Sequence, residues 1–272
     1  EDEGREADTW NRLGAALRVT RRFEEAVDAH GRARHLHVKL RDTHGEAVSR
    51  SGLGAALSGG RRFEEAIDAL RGSQAAFARM DDVLREANAW NHLGEALREV
   101  GRTAEAVDAH QRAQGFFHQL GDTHREARVW DNLGAVLGRE ERFAEAMEAY
   151  ERARSMFLGL GDTREAVKAD MGVAICLRGL RRTEEALAEL GEVVGFFTEE
   201  RDLHHEGLSR HELGLTWADA GQPAKAIPHL ERAVRLLGEN NDPFQRDRAA
   251  EALASARESL NPAGGSAGPP SP

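Results

Sequence analysis

Residues 7–33 read ADTWNRLGAALRVTRRFEEAVDAHGRA, and the spacing of their apolar positions decides the fold. Ala7, Trp10, Leu13, Gly14 and Leu17 recur at intervals of three and four, the signature of one helical face. After Arg21-Arg22, a second stripe runs through Phe23, Ala26, Val27, His30, Ala33, His37 and Leu40. A break this short joins two helices into an antiparallel hairpin. Working outward, the hairpin recurs every 40 residues: aspartate stands at Asp2, Asp42, Asp82, Asp122, Asp162, Asp202 and Asp242. The pair Leu13-Gly14 returns as Leu53-Gly54, Leu93-Gly94, Leu133-Gly134, Val173-Ala174 and Leu213-Gly214. Ala26, Ala66, Ala106, Ala146, Ala186 and Ala226 keep the same beat. A hairpin that cannot bury its own apolar face stacks on its neighbours, so the period predicts an all-α repeat array.

Local chemistry marks the ends of the helices. Thr43 with Glu46 and Thr123 with Glu126 read as capping boxes at the start of the first helix of their units, as does Asp162 with Glu165. The fifth unit reads Gly161-Asp-Thr-Arg-Glu-Ala against Gly121-Asp-Thr-His-Arg-Glu-Ala in the fourth, which predicts one residue fewer before the helix. The break between helices falls at Gly59-Gly60, at Gly101 and at Gly221-Gln222-Pro223, with Pro223 suited to a first turn. Gly14, Ala26 and their equivalents let the two helices approach, and a bulky residue at Ala106 is expected to overpack the hairpin.

The pattern W-x2-L-G-x2-L followed by A, a large residue and A, carried in the first unit by Trp10, Leu13, Gly14, Leu17, Ala26, His30 and Ala33, resembles the tetratricopeptide repeat. Trp90 and Trp130 repeat it with Leu93-Gly94-Leu97 and Leu133-Gly134-Leu137, while Arg50, Asp170 and Arg210 depart from the aromatic first position. The resemblance covers residues 1–240, as units 1–40, 41–80, 81–120, 121–160, 161–200 and 201–240. It implies a right-handed superhelical α-solenoid of six helix-turn-helix units. Residues 241–260 read as a capping helix with a polar outer face, and 261–272, rich in Gly, Pro and Ser, as a disordered tail. The 40-residue form with Gly-Asp before the first helix resembles arrays of bacterial signalling ATPases and transcriptional regulators, and of eukaryotic adaptors. A first residue that is not Met leads us to expect a fragment of a longer protein, and only 3 of 37 basic residues are lysine, a bias expected of a GC-rich bacterial genome.

Composition excludes several classes. The formal charge is -10 and no basic run stands out, which argues against nucleic acid and anionic membrane surfaces as partners. The single cysteine, Cys176, has no partner for an internal disulfide, and a cytoplasmic protein is expected. His35 with His37, and His204, His205 and His211, invite a metal reading, but within each group the helical ligand spacings of three and four are missing. His30 and His110 share one repeat position with Tyr150, Leu70, Leu190 and Leu230 and read as half-buried packing residues; Cys176 reads as a buried, inert thiol. Glu24-Glu25, Glu64-Glu65 and Glu184-Glu185 start second helices, where carboxylates suit the dipole. No cofactor, metal or catalytic group is expected.

In the tetratricopeptide family the first helix of each unit lines a concave groove. By phase this implies Asn11, Arg18, Asn88, Asn91, Arg98, Arg128 and Asp131 as polar groove residues, and later Lys168, Met171, Ile175, Arg178, Leu208, His211 and Leu215. A partner protein or peptide with acidic and apolar segments fits such a wall. The lysine-and-asparagine carboxylate clamp of chaperone-tail binders is not expected, since Ala15, Ala55 and Ala135 occupy one of its places. The leading expectation is a protein-interaction scaffold or sensor module within a larger regulatory protein; self-assembly is the alternative, and a metal-dependent enzyme ranks last.

Overall fold

The computed structural model of the chain describes residues 2–260, and among them every element is an α-helix. The tail expected over 261–272 lies outside the described residues. Two compact units part between Glu140 and Glu141. Unit 1 holds α1 (Asp2–Val19), α2 (Phe23–Leu40), α3 (Thr43–Gly59), α4 (Phe63–Arg79), α5 (Val83–Glu99), α6 (Thr103–Gln119) and α7 (Thr123–Arg139). Unit 2 holds α8 (Phe143–Gly159), α9 (Thr163–Gly179), α10 (Thr183–Glu199), α11 (Leu203–Asp219), α12 (Pro223–Glu239) and α13 (Pro243–Leu260). Sequence neighbours pack together along each unit, and the division between the units falls within the fourth 40-residue interval.

One corner geometry serves every turn. A left-handed residue stands at Arg21, Arg41, Arg61, Asp81, Gly101, Gly121, Glu141, Gly161, Arg181, Arg201, Gly221 and Asn241, one each 20 residues. At the first corner the Arg21 N–H donates to the Arg18 carbonyl at 3.0 Å and the Arg22 N–H to the Leu17 carbonyl at 2.9 Å. This is the Schellman pattern, which satisfies helix-end carbonyls that would otherwise be orphaned. Glycine is not required for it: at the break expected to fall on Gly59-Gly60, the left-handed residue is Arg61 (φ 63), while Gly60 has φ -79. Gly59 instead makes room for the Phe23 ring, which a Cβ there would meet at 2.3 Å.

The recurring aspartate explains the helix starts. Asp42, Asp82, Asp122, Asp162 and Asp202 are the N-caps of α3, α5, α7, α9 and α11, each side chain accepting a backbone N–H three residues on. Thr43 and Thr123 therefore lie inside their helices and do not cap them, whereas Asp162 with Glu165 caps as expected. The fifth unit loses no residue: α9 runs Thr163–Gly179 in the same register as α7 at Thr123–Arg139. Its Glu and Ala have only moved one place along the helix, so Ala166 is buried where Glu126 is in the fourth unit. Second helices start differently. Arg22, Arg62, Arg102, Arg142 and Arg182 supply no side-chain cap and bind Glu25, Glu65, Glu105, Glu145 and Glu185 bidentately. The first of each glutamate pair stays solvated at the dipole end, as expected.

Hairpins close on the small residues. Ala26, Ala66, Ala106, Ala146, Ala186 and Ala226 are fully buried. A Cβ on Gly14 would meet the His30 ring at 2.6 Å, on Gly94 the His110 ring at 2.7 Å, and on Gly54 Leu70 at 2.5 Å. Between hairpins, Gly45, Gly52 and Gly59 face His37, His30 and Phe23, two seven-residue ladders running antiparallel. In unit 2, Gly172 and Gly179 take Tyr150 and Phe143 in the same way.

The departures from tryptophan are each paired. Trp10 and Trp90 donate Nε1–H to Glu6 and Glu86 one turn back, with Arg32 and Arg112 stacked over their rings. Arg50 instead binds Glu46, Asp170 accepts from Arg154, and Arg210 shares the buried Glu206 with Arg232. On α13, Ala249, Leu253 and Ala256 are buried while Arg246, Asp247, Arg248, Glu251, Arg257 and Glu258 are exposed.

Two glycines of one hairpin should respond oppositely to the same methyl group. Gly94→Ala overpacks His110 and costs about 1–3 kcal/mol, whereas Gly115→Ala, with nothing within 4 Å of the added atom, gains about 0.5–1 kcal/mol in helix stability. Urea unfolding followed by circular dichroism checks both; equal midpoints for the two variants contradict the packing described.

Candidate functional site

Each unit has an inner side. In unit 1 the first helices of successive hairpins touch, α1 with α3, α3 with α5 and α5 with α7, while α2, α4 and α6 do not touch one another. The same holds in unit 2 for α9, α11 and α13 against α8, α10 and α12. Closer spacing on one side curves a stack toward that side, so the first helices form the inner wall of each unit.

At the start of the wall in unit 1 a pocket of about 280 Å³ opens between α1 and α3, lined by Asn11, Ala15, His30, Val48, Ser51 and Phe77, with Gly52, Arg85 and Asn88 completing it. Small residues create the space: Ala15 and Gly52 contribute almost no volume where two units on Glu95 and Asn132 stand. His30 forms the inner wall, 4% exposed, with Nδ1 3.1 Å from Asn11 Oδ1. An amide oxygen only accepts, so Nδ1 carries a proton. Burial, with the Arg18 charge added, pushes its pKa down to about 4. Asn11 Nδ2–H donates to Ser49 Oγ at 2.9 Å, which ties α1 to α3.

Two units on, the same place is filled. Asn91 Oδ1 accepts from His110 Nδ1 at 3.2 Å and from Asn132 Nδ2 at 3.1 Å, and Asn91 Nδ2 donates to Glu95 Oε1 at 2.9 Å. Asn132 and His92 also bind Glu95, at 3.0 and 3.2 Å. Burial opposes the Glu95 charge, but the His92 hydrogen bond, with His92, His110 and Arg128 close by, outweighs it and holds the carboxyl at about 2. His110, fully buried, has a pKa pushed down to about 4 by burial. Both histidines were expected half-buried; close approach of Gly14 and Gly52 to His30, and of Gly94 to His110, makes them core residues instead.

The expected groove residues fall into three groups. Arg18 and Arg128 are exposed and make no hydrogen bond or ion pair among the described residues. Others are half-buried and internally engaged: Asn88 donates to the Leu84 carbonyl, Arg98 binds Glu99, Lys168 binds Glu165, and Arg178 binds Glu212 at 2.9 Å. Asn11 and Asp131 are half-buried as well. Asn91 and His211 are buried, at 7% and 3% exposure, so both shape the wall from beneath and offer no free contact. In unit 2, Met171 packs against Ala174, Leu190 and Leu213, and Leu208 against Leu237, leaving Ile175 and Leu215 half-exposed beside them. Sequence phase missed Gly52, Phe77, Arg85, His92 and Asn132, which line the pocket or its filled counterpart. The glycine series Gly45, Gly52, Gly59 was the available signal.

Cys176 is buried, and burial pushes its thiol up to about 11, far from the reactive thiolate range. No group of three or more His, Cys, Asp or Glu among the described residues is placed to hold a metal ion, and no helix among them is long and apolar enough to cross a membrane.

Known proteins agree with this architecture. Residues 85–159 match the family described as tetratricopeptide repeat, and the helices on either side keep the same 40-residue beat. The apo form of RapI is similar, with TM-score 0.69 and 10% identity over 94% of this chain and 98% of that one. A Rap protein complexed with competence and sporulation factor gives 0.69 and 13%, over 94% and 76%. The chain also superposes, at 0.68 and 15% identity over 94% of its length, on 39% of a signal-transduction ATPase with numerous domains and a tetratricopeptide-repeat sensor from Pyrococcus horikoshii. Such identities carry the fold alone. No curated protein sequence matches the chain. The class is thus an all-α tetratricopeptide-repeat solenoid, a fold that is typically non-catalytic.

Acid should loosen unit 1 through its two buried rings. With folded values near 4 against 6.5 for a free histidine, the stabilisation from neutral burial is complete above pH 6.5 and is lost as pH falls toward 4. At about 1.4 kcal/mol per pKa unit, each ring accounts for at most roughly 3 kcal/mol. His205, His211 and His229 shift in the same direction in unit 2, so the readout is a difference. Urea midpoints at pH 7, 5.5 and 4 should fall less steeply for His30→Leu/His110→Leu than for the parent chain; parallel slopes count against neutral burial.

Proposed function

We propose that the inner wall of unit 1 binds a protein or peptide, and that the chain is a protein-interaction or sensor module of a larger bacterial regulatory protein. On this reading six repeats span 1–240 and α13 is their cap. The observation that carries it is the open pocket between α1 and α3, where Val48 and Phe77 offer an apolar floor beside Ser51 and Asn88. Its size suits one aliphatic side chain, with polar groups at the rim for an extended backbone. Arg18, exposed near the pocket, and Arg128 further along favour acidic residues flanking that side chain. The neighbours support the reading: one was solved with competence and sporulation factor, and another carries such repeats as a sensor. On this reading the role is non-catalytic and cofactor-free; the charge of -10 disfavours nucleic acid and anionic membranes, and the free thiol suits the cytoplasm.

Peptides selected from a random displayed library against the whole chain test this. Selected sequences should combine aliphatic and acidic residues, lose at least tenfold in affinity for Ala15→Phe and for Arg18→Glu, and bind Asp68→Asn, on the outer side of α4, unchanged. Full affinity for Ala15→Phe removes the assignment.

Self-assembly has one observation in its favour. Leu13 on α1 is 43% exposed, while of its five equivalents Leu93, Leu133, Val173 and Leu213 are 3–8% exposed and Leu53 is half-buried; Val19, further along α1, is 80% exposed. Light scattering across a concentration series should then show mass growth that Leu13→Glu abolishes; a constant monomer mass eliminates it.

A further inference from the structure

We infer that unit 1 carries a second docking surface on its outer side, the groove between α2 and α4, and that this groove takes a basic amphipathic helix of a partner protein. The second helices stand apart, so a wedge opens between each successive pair. Between α2 and α4 the wedge is a cavity of about 710 Å³ whose floor is Trp10, Val27, Leu53 and Leu57. The equivalent wedge between α4 and α6 is closed. There Arg71 reaches across to Glu105 at 2.7 Å, and Ile67 and Leu93 are 1% and 3% exposed.

Among the positions at which the two wedges differ, which include Trp10 against Arg50, Arg32 against Gly72 and Leu36 against Ala76, one carries the arm that spans the gap. The residue equivalent to Arg71 is Gly31, and the residue equivalent to Glu105 is Glu65. With no side chain at Gly31 nothing spans the gap: an added Cβ there would meet no atom within 4 Å, and Val27 and Leu53 stay half-exposed. The apolar floor is therefore left open by the absence of one side chain that the next repeat supplies.

Charge selects the occupant. Arg32 lies over the Trp10 ring at 4.6 Å, and Arg62 is held by Glu65 at 2.8 Å and Glu24 at 3.2 Å, so both cations of the rim are engaged. Asp28, exposed on the rim, has no cationic partner among the described residues, and Glu6 stands beside it, so with Glu65 and Arg62 paired the rim keeps two carboxylates against Arg32. A helix with apolar residues at i, i+3, i+4 and i+7 and lysine or arginine along its flanks matches both floor and rim. An acidic segment, the partner proposed for the inner wall, is repelled here.

The experiment uses the whole chain and two labelled 18-residue amphipathic peptides, one of leucine and lysine and its counterpart of leucine and glutamate, with binding read by fluorescence anisotropy at physiological salt. The lysine peptide should bind and the glutamate peptide should not. Gly31→Arg, which copies the closing residue of the next repeat and places a better helix former in α2, should weaken the lysine peptide at least tenfold while a thermal melt shows an intact fold. Asp28→Lys should weaken it several-fold, and Ala15→Phe on the inner wall should leave it unchanged, so this surface and the peptide pocket fail or stand separately. Unaltered affinity for Gly31→Arg, binding of both peptides alike, loss on Ala15→Phe, or no binding of the lysine peptide would each overturn the assignment.

Discussion

Close approach between helices, permitted wherever a side chain is missing, is the constraint on which this molecule depends. Gly14, Gly54 and Gly94 admit the second-helix residue opposite them, and Gly45, Gly52 and Gly59 admit the rings of the preceding hairpin. Because interiors are packed near crystal density, a ring has no second place to go once these gaps are set. The stacking of one hairpin on the next, and the inward curve of each unit, follow from contacts at those few positions.

The binding surfaces arise where the repeat is broken. Ala15 and Gly52 hollow the inner wall at one junction, while Glu95 and Asn132 fill it two units on with a hydrogen-bonded cluster. Polar clusters of this kind hold one arrangement only when each member is satisfied, which suits a wall that must keep its shape when nothing is bound. The same reasoning explains why Asn91, the most promising polar contact by helical phase, is unavailable: its oxygen and its amide are already committed to His110, Asn132 and Glu95.

Fold and helix register were legible because they rest on periodicities of apolar residues, and a 40-residue period survives scattered substitutions such as Arg50 or Asp170. The aspartate period marked the true caps, yet the threonine beside it matched a familiar box, and the local motif misled where the longer pattern did not. Corner residues were illegible for a physical reason: arginine, aspartate, glutamate and asparagine all stand in the left-handed region here, at a cost of about 1 kcal/mol each or somewhat more, carried by the packing on both sides. Which groove residues are free was likewise hidden, since helical phase shows direction but not what a neighbouring helix brings to meet a side chain. His211 is enclosed, and Met171 is half-buried against Ala174, Leu190 and Leu213.

Twelve corners of one shape, spaced 20 residues apart, have a meaning for how such a chain changes over generations. Since each helix leaves its corner in the same direction whatever residue occupies it, a hairpin can be copied, deleted or exchanged by recombination without any junction having to be rebuilt. Length then becomes an easily altered trait, and novelty is confined to side chains facing a neighbour, where swapping one glycine for an arginine opens or shuts a surface.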